Sequence, residues 1–422
     1  MTRLWNLPVF RLVATDRCRV AAPWFDWTNG RDATAVLRQH ANALERHRFG
    51  PPLLFEQELA ALLHLVLAGP RALLALRRWG QALRASEGIS FHRQWLDLLT
   101  CTWRLGLRPQ VYYYLGLHRL ARREWRHVID PAELHHLQRD ISPPDIHGLE
   151  DKLRFHDRAS RAGIATPPLL ALWRDGRRES AADPEELRRD LFVKRALTYS
   201  STGIMGFRFD ATTGEYRDGP RRYSPAGLDA LLRRLSYDHV LLVQPWLRNH
   251  RDLEDFSTGA LCNYRVVTGR HPNGSIEPLV AALRLPVGRG LTCAEPDLTF
   301  CAAVEIGTGR LHAAASKDPA LGQVLRHPAT GRRIEGVVVP RWPELLALAR
   351  RAHEAWPEFP FVGWDLADTS GGLVVLEGSC LWGGFLAQMS GSPPLGLTSF
   401  ASIYHSYSRH RGSSPCPFLP GV

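Results

Sequence analysis

The sequence predicts an α+β protein in which a mainly helical N-terminal third precedes antiparallel hairpins interspersed with helices. Two observations support this. From Leu53 to about Leu137 apolar residues recur with helical spacing. After the break at Ser142-Pro-Pro-Asp145, short β-rich segments alternate with single helices. We therefore expect three parts: a helical region at 1–140, an α+β domain at 141–395 and a surface tail at 396–422.

Capping residues indicate where the helices begin and end. Asp130-Pro-Ala-Glu133 has Asp as N-cap, Pro at the first helical position and Glu at the third. A second helix begins at Pro109, and another runs from about Leu149 to Ala162 and stops at Gly163. Further helix starts are indicated at Ala33, Ser224-Pro225 and near Pro343.

The strands are expected where apolar, β-branched segments lie between turn residues. They are Leu191–Ala196, His239–Leu247, Leu261–Thr268, Ile276–Leu285, Thr299–Ile306 and a closing hairpin of Phe361–Ala367 and Leu373–Ser379.

Composition narrows the function classes. The 422 residues, 45% of them hydrophobic, suffice for two or three domains. Seven scattered cysteines without a Cys-x-x-Cys argue against a disulfide framework or zinc site. No signal peptide is visible and the most apolar window, Leu59–Leu76, is too interrupted to span a bilayer. We expect a soluble cytoplasmic protein. The net charge of +11 comes from scattered arginines. It favours phosphorylated ligands, and without an aromatic–basic stripe nucleic acid is not expected.

Two acids on the closing hairpin form the most informative feature. With a loop at Asp368–Gly372, Asp365 opposes Val375, and Glu377 is its diagonal neighbour on the same face, within roughly 7–8 Å. Ser379 shares that face. Two unneutralised carboxylates in apolar strands repel each other, and Mg²⁺ resolves the conflict. The alternative is a solvated hairpin face with two unrelated acids.

Two lysines precede this hairpin. Lys152 follows Asp151 at a helix start, and Lys194 ends an apolar strand. The following loop, Thr198–Gly206, consists of small polar residues and glycines that can present N–H groups and hydroxyls to phosphate. No P-loop or Gly-x-Gly-x-x-Gly pattern is present, which disfavours those folds. An exposed strand end is the alternative for Lys194.

Two further strands carry polar groups. The strand ending at Gln244 is followed by the Pro245 carbonyl and the Leu247 N–H, an acceptor and a donor that match a purine edge. An ordinary buried strand is the alternative. Arg265 and Arg284 lie in apolar strands, where a guanidinium meets a carboxylate or phosphate unless the strand is an exposed edge.

In this order the features resemble the ATP-grasp superfamily, and more narrowly its sugar-transfer-associated group. The resemblance covers roughly residues 90–395 and implies an ATP-grasp fold: two α+β subdomains gripping ATP, with a lid at about 165–243. Stretches similar to that group in particular are His327–Gly331, Ile334–Gly336, Val339–Trp342 and Val362–Ala367.

The resemblance also implies site roles. The residues implied to bind the nucleotide phosphates are Lys152, Lys194, Ser200, Ser201 and Gly203; those for adenine are Gln244, Pro245 and Leu247; that for ribose is Asp252. Arg265 is implied to steady the transferred phosphoryl group and Arg284 to hold the acceptor carboxylate or tetrahedral intermediate. The implied Mg²⁺ ligands are Asp365, Glu377 and Ser379. Ser379 replaces the usual Asn, which predicts weaker metal binding or activity. The loop Gly290–Asp297 lacks the Asp-Asn pair and glycines typical of the group.

The implied function is an ATP- and Mg²⁺-dependent ligase that joins a small-molecule carboxylate to an amine through an acyl phosphate. The name of the group suggests that an amino acid is joined to a sugar acid or a peptide. Two alternatives stay open: a small-molecule kinase using the same nucleotide cradle, and a non-catalytic nucleotide- or glycan-binding module.

Overall fold

The computed structural model describes residues 64–179, 183–198, 203–288, 299–389 and 391–410, together with seven residues between 34 and 44. The seven residues between 34 and 44 are helical, in agreement with the helix predicted from Ala33.

The N-terminal region is helical, as predicted. Its helices are α1 His64–Glu87, α2 Phe91–Leu99, α3 Pro109–Tyr114 and α4 Pro131–Ile141. The capping box that begins α4 is confirmed, because Asp130 accepts from the backbone N–H of Ala132 and Glu133 accepts from the backbone N–H of Asp130. No helix in the described part of the chain is long and apolar enough to cross a membrane.

Two short helices lead into the first sheet. They are α5 His147–Glu150 and α6 Lys152–Arg161. The predicted single helix from Leu149 to Ala162 is therefore interrupted at Asp151, which is the N-cap of α6 and accepts from Leu153 N and Arg154 N.

The first sheet, the lid sheet, spans residues 171–245. Its strands are β1 Ala171–Arg174, β2 Arg177–Arg178, β3 Leu191–Arg195, β4 Met205–Asp210, β5 Glu215–Asp218, β6 Arg221–Tyr223 and β7 Leu241–Pro245. The strand order is β2-β1-β7-β3-β4-β5-β6. One face packs on α7 Pro225–Leu235 through Val193, Phe207 and Leu228.

The second sheet, the base sheet, carries the closing hairpin. Its strands are β8 Asn263–Arg270, β9 Ile276–Pro286, β10 Thr299–Val304, β11 Leu311–Ala315, β12 Gln323–Val324, β13 Phe361–Thr369 and β14 Gly372–Ser379. The order is β12-β11-β10-β9-β8-β13-β14, and all paired neighbours are antiparallel. Two mixed α+β units, as expected of an ATP-grasp fold, follow a helical region.

Alternation along β13 separates two faces of the base sheet. Val362, Trp364 and Leu366 pack with α8 Trp342–Glu354. Phe361 faces the other way and stacks on Phe400. Asp365 shares the Phe361 side, which α8 does not cover.

The predicted surface tail is wrong for residues 400–404. Residues Phe400–His410 form α10, which follows the short α9 Gly384–Gln388, and Phe400, Ile403 and Tyr404 are buried against α4 and the base sheet. Residues 411–422 lie outside the described part.

The predicted hairpin register is also wrong. Thr369 pairs with Gly372, so the turn has two residues, and a bulge between Asp365 and Leu366 places Asp365 directly opposite Glu377. The two carboxylates nonetheless share one face, as predicted.

Candidate functional site

Three adjacent strands place an arginine and two acids side by side. Arg265 in β8 lies opposite Asp365 in β13, and Asp365 lies opposite Glu377 in β14. Because directly opposed residues point to the same face, the three side chains form one row across the base sheet. Arg284 joins this face from β9, where it pairs with Asn263, two residues before Arg265.

Asp365 is the counter-ion of both arginines. Arg265 Nε donates to Asp365 Oδ1 at 2.6 Å and Arg265 Nη2 to Oδ2 at 3.0 Å, while Arg284 Nη1 donates to Oδ2 at 3.2 Å. Burial raises the pKa of Asp365, but the positive charges of Arg265 and Arg284 lower it by more than burial raises it. The pKa of Asp365 therefore lies below its ordinary value. The expectation of two unneutralised acids is therefore corrected: Asp365 is neutralised within the chain.

Glu377 contacts Lys152 and influences Lys194 electrostatically. Lys152 Nζ lies 3.8 Å from Glu377 Oε2 and donates to the Thr198 carbonyl at 3.0 Å. Lys152 N also donates to Ala196 O at 2.8 Å, which joins the start of α6 to the end of β3. Lys194 is buried, and burial lowers its pKa to about 8; Glu377 opposes this shift and Lys152 adds to it. The structure therefore brings Lys152 and Lys194 to the acidic hairpin.

The donor atoms on the hairpin fit a hard divalent cation. The Glu377 side chain is 42% exposed, whereas both Asp365 oxygens accept from arginines. Among the described residues, no group of three or more His, Cys, Asp and Glu side chains is arranged to hold a metal ion. Mg²⁺ commonly takes only one or two carboxylates and completes its shell with water and substrate phosphates. Glu377 and Asp365 therefore suit a cation that arrives with a nucleotide.

Ser379 lies two residues beyond Glu377 and has a partner of its own. Its Oγ donates to Glu150 Oε1 at 2.9 Å, and Cys380 N donates to the same oxygen at 3.0 Å. Sequence reasoning missed Glu150, because no spacing pattern connects a residue beside Lys152 with the end of β14.

Gln244 lies on the same face of the lid sheet as Lys194. It pairs with Phe192, two residues before Lys194, and is buried. Its Nε2 donates to the Pro167 carbonyl at 3.2 Å. This side chain thus holds the segment leading into the lid sheet, while Pro245 ends β7 and Leu247 is half-buried beyond it.

The structure places Asp252 near His250 and Asp368 rather than beside Asp365. Asp252 Oδ2 lies 3.4 Å from His250 Nδ1, and the pKa of Asp368, raised mainly by burial, is raised further by Asp252. Asp368 also pairs with Arg341 at 3.1 Å. These contacts are at the turn end of β13, beyond the row that contains Asp365.

Part of the predicted phosphate loop is described. Ser200, Ser201 and the loop Gly290–Asp297 lie outside the described residues. Gly203 has φ +72°, a left-handed conformation that residues with a side chain rarely adopt, so this position favours glycine.

The family profile described as sugar-transfer associated ATP-grasp matches residues 137–399. A search of curated proteins found no match. Solved structures similar to this chain include an ADP complex of N5-carboxyaminoimidazole ribonucleotide synthetase (12% identity, TM-score 0.34, 58% of this chain and 52% of that one). Another is D-alanine–D-alanine ligase from Bacillus anthracis complexed with ATP (10% identity, TM-score 0.37, 63% of this chain and 69% of that one).

The chain spans about half the length of the first of these structures, the synthetase (52%). At such identities and TM-scores, nothing about the reaction follows from the likeness.

Proposed function

The chain belongs to the sugar-transfer associated ATP-grasp family, and we propose that it is an ATP- and Mg²⁺-dependent ligase that joins a carboxylate to an amine through an acyl phosphate. One observation carries this proposal. Lys152 of α6 pairs with an acid of the closing hairpin, Lys194 of the lid sheet lies within the electrostatic influence of the same acid, and the hairpin is continuous with two arginines on the base sheet. Lysines suit a triphosphate, the acids suit a divalent cation, and the arginines suit a phosphoryl group or a substrate carboxylate.

Each charged group has a proposed role. Lys152 and Lys194 bind the nucleotide phosphates, and Glu377 with Asp365 holds the cation, assisted by Ser379. Bound there, Mg²⁺ would neutralise phosphate charge and align the γ-phosphoryl group for attack. Arg265 steadies the transferred phosphoryl group. The substrate carboxylate attacks phosphorus and ADP leaves, so two anions must approach, which requires the cationic groups nearby.

Arg284 orients the acceptor carboxylate or the tetrahedral intermediate. It lies two residues from the Arg265 rung, opposite Asn263, whose buried Oδ1 has no hydrogen-bond partner among the described residues. An unpaired buried acceptor is costly, and a substrate amine is a donor that would satisfy it. We include Asn263 among the substrate-binding residues for this reason.

Adenine and ribose are assigned to the connection after β7. The Pro245 carbonyl and Leu247 N–H face the purine edge, Gln244 supports this turn through Pro167, and Asp252 binds the ribose. Ser200, Ser201 and Gly203 are assigned to the phosphates, and the lid sheet closes over them. Closure is required because water hydrolyses an acyl phosphate.

The experiment is a turnover assay with substrate pools. Protein, ATP and Mg²⁺ are mixed with pools of amino acids and uronic acids, and ADP release is followed with identification of the product. We expect one acid–amine pair to stimulate ADP release and form an amide. Asp365→Asn should abolish stimulation, and Glu358→Gln, which removes an exposed ion pair with Arg158, should not. Unstimulated turnover for every pool, unchanged by Asp365→Asn, would refute the proposal.

A non-catalytic nucleotide-binding module is the second candidate. It is favoured by the engagement of Asp365 with two arginines. Nucleotide-dependent protection against thermal unfolding without ADP release would select it. A stable phosphorylated product without an amide would instead indicate a kinase.

A further inference from the structure

We infer that Glu150 is a positioning residue that orients Ser379 as a cation ligand in place of the asparagine usual at this position. The inference rests on the proposed function, because it concerns the cation of the same site. It starts from the three hydrogen bonds that Glu150 Oε1 accepts, from Ser379 Oγ at 2.9 Å, from Cys380 N at 3.0 Å and from Cys380 Sγ at 3.4 Å.

The pairing between α5–α6 and β14 is regular. Glu150 contacts Ser379, and Lys152 lies 3.8 Å from Glu377. Residues two apart in one segment therefore meet residues two apart in the other. Gly378, between Glu377 and Ser379, makes this approach possible, since a Cβ there would lie 2.6 Å from a methyl group of Leu149.

Asp151 holds the register of this junction. It separates Glu150 from Lys152 and caps α6 by accepting from Leu153 N and Arg154 N. The tripeptide 150–152 thus sets both a phosphate-binding lysine and the contact with Ser379. A carboxylate in this position does more than join two segments, because it decides which way the serine proton points.

The chemistry follows from the hydroxyl group. A serine hydroxyl has one proton to donate and two lone pairs. A carboxylate oxygen can only accept, so Ser379 donates to Glu150 and its lone pairs point away from it. A charge-assisted hydrogen bond also strengthens the negative end of the O–H dipole. Ser379 then offers a hard oxygen ligand on the face it shares with Glu377, as an asparagine carbonyl would.

The test is Mn²⁺ binding to the full chain in the presence of ADP, measured by electron paramagnetic resonance. We expect Glu150→Gln and Ser379→Ala each to raise the Kd of Mn²⁺ by about 10–100-fold, the range for groups that orient metal ligands. Combining the two should cost no more than either, because both remove one interaction. In the Glu150→Gln background, Ser379→Asn should restore affinity, since an amide oxygen needs no carboxylate to orient it.

Controls separate this inference from the proposed function. Glu358 is an exposed glutamate paired with Arg158, and the Glu358→Gln variant should bind Mn²⁺ normally. If Glu377→Gln leaves Mn²⁺ binding intact, the proposed cation site itself fails. If Glu377→Gln abolishes binding but Glu150→Gln changes only the melting temperature, Glu150 is merely structural and the inference alone fails. Should Glu150→Gln not fold, the Ser379 variants decide: equal Kd values for Ser, Ala and Asn overturn the inference.

Discussion

Arg265 and Asp365 face each other across β8 and β13 and form a buried two-point ion pair, with N–O distances of 2.6 and 3.0 Å. Arg284 adds a third contact to the same carboxylate. The acid proposed to hold a cation is therefore also the counter-ion of two arginines. Under the proposed function, binding of a cation and triphosphate redistributes these contacts, so that the carboxylate meets the cation and the guanidiniums meet phosphate or substrate.

Asp365→Asn should strongly destabilise the chain. It leaves Arg265 and Arg284 buried without their anion, and breaking a buried pair by removing one partner costs about 3–5 kcal/mol. Urea unfolding measures this loss. Because the pKa of Asp365 is lowered in the folded state, its stabilising contribution is present above the ordinary carboxyl pKa of 3.8 and disappears as the pH falls below it.

Asp229→Asn is the matched control for Asp365. Asp229 forms an exposed pair with Arg233 at 3.5 Å along α7, and its loss should cost less than about 1 kcal/mol. Equal effects of the two substitutions would show that the buried ion pair contributes nothing special.

Nucleotide affinity should decline at alkaline pH through Lys194. Its pKa of about 8 means that it is charged near pH 7 and largely neutral about two units higher. Phosphate oxygens favour the charged form, so binding above pH 8 takes up a proton and the affinity falls by up to about tenfold per pH unit. Calorimetric titration of ADP across this range measures the effect.

Lys194→Arg should remove this pH dependence, because a guanidinium stays charged throughout.

The pH dependence of folding stability through Lys194 has a defined sign as well. The folded pKa lies below the ordinary 10.5, so the unfolded chain binds this proton more tightly between pH 8 and 10.5. The contribution of Lys194 to stability therefore rises with pH in that window. If the ADP affinity of the unaltered chain does not depend on pH, the lowered pKa of the buried Lys194 is contradicted.

Arg284→Met should reduce turnover more than nucleotide binding. Removing one group that stabilises developing negative charge costs about 10²–10³ in kcat. The nucleotide phosphates are assigned to the lysines, so the Kd of ADP should stay unchanged. Arg350→Met, on the exposed face of α8, serves as the control. A parallel loss of ADP binding would instead assign Arg284 to the nucleotide.

Phe400→Ala should destabilise the chain by about 3–5 kcal/mol. Phe400 is fully buried and stacks on Phe361 with ring centroids 4.5 Å apart. Leu397→Ala, at a side chain that is 50% exposed, should have little effect on the melting temperature. Similar small losses of stability for both substitutions would indicate that this segment lies on the surface, as predicted from its composition.

The strands most faithfully predicted are the apolar ones. β3, β8 and β9 begin or end within two residues of their predicted bounds. The sequence Glu-Tyr-Arg-Asp of β5 and Arg-Arg-Tyr of β6 has no apolar pattern, and these strands exist because they extend the edge of the lid sheet. Local preference is weak there and neighbouring strands decide.

The hairpin register shows the limit of local reasoning. Asp368-Thr-Ser-Gly-Gly has the composition of a five-residue loop, yet Asp368 is buried and paired with Arg341 beside α8. β13 extends into the predicted loop as far as Thr369, and with the bulge after Asp365 the pairing places Asp365 opposite Glu377 rather than Val375. A partner distant in sequence overrode the turn composition.

The kinds of chemical group and their order along the chain are already set by the amino-acid sequence: two lysines, two strand arginines and two hairpin acids, on segments whose apolar patterns predict sheet. Only the tertiary structure decided that Asp365 neutralises Arg265 and Arg284, that Lys152 reaches Glu377 and that Glu150 holds Ser379. The reason is physical. Strand register and sheet order determine which side chains share a face, and both result from contacts between segments far apart in the chain.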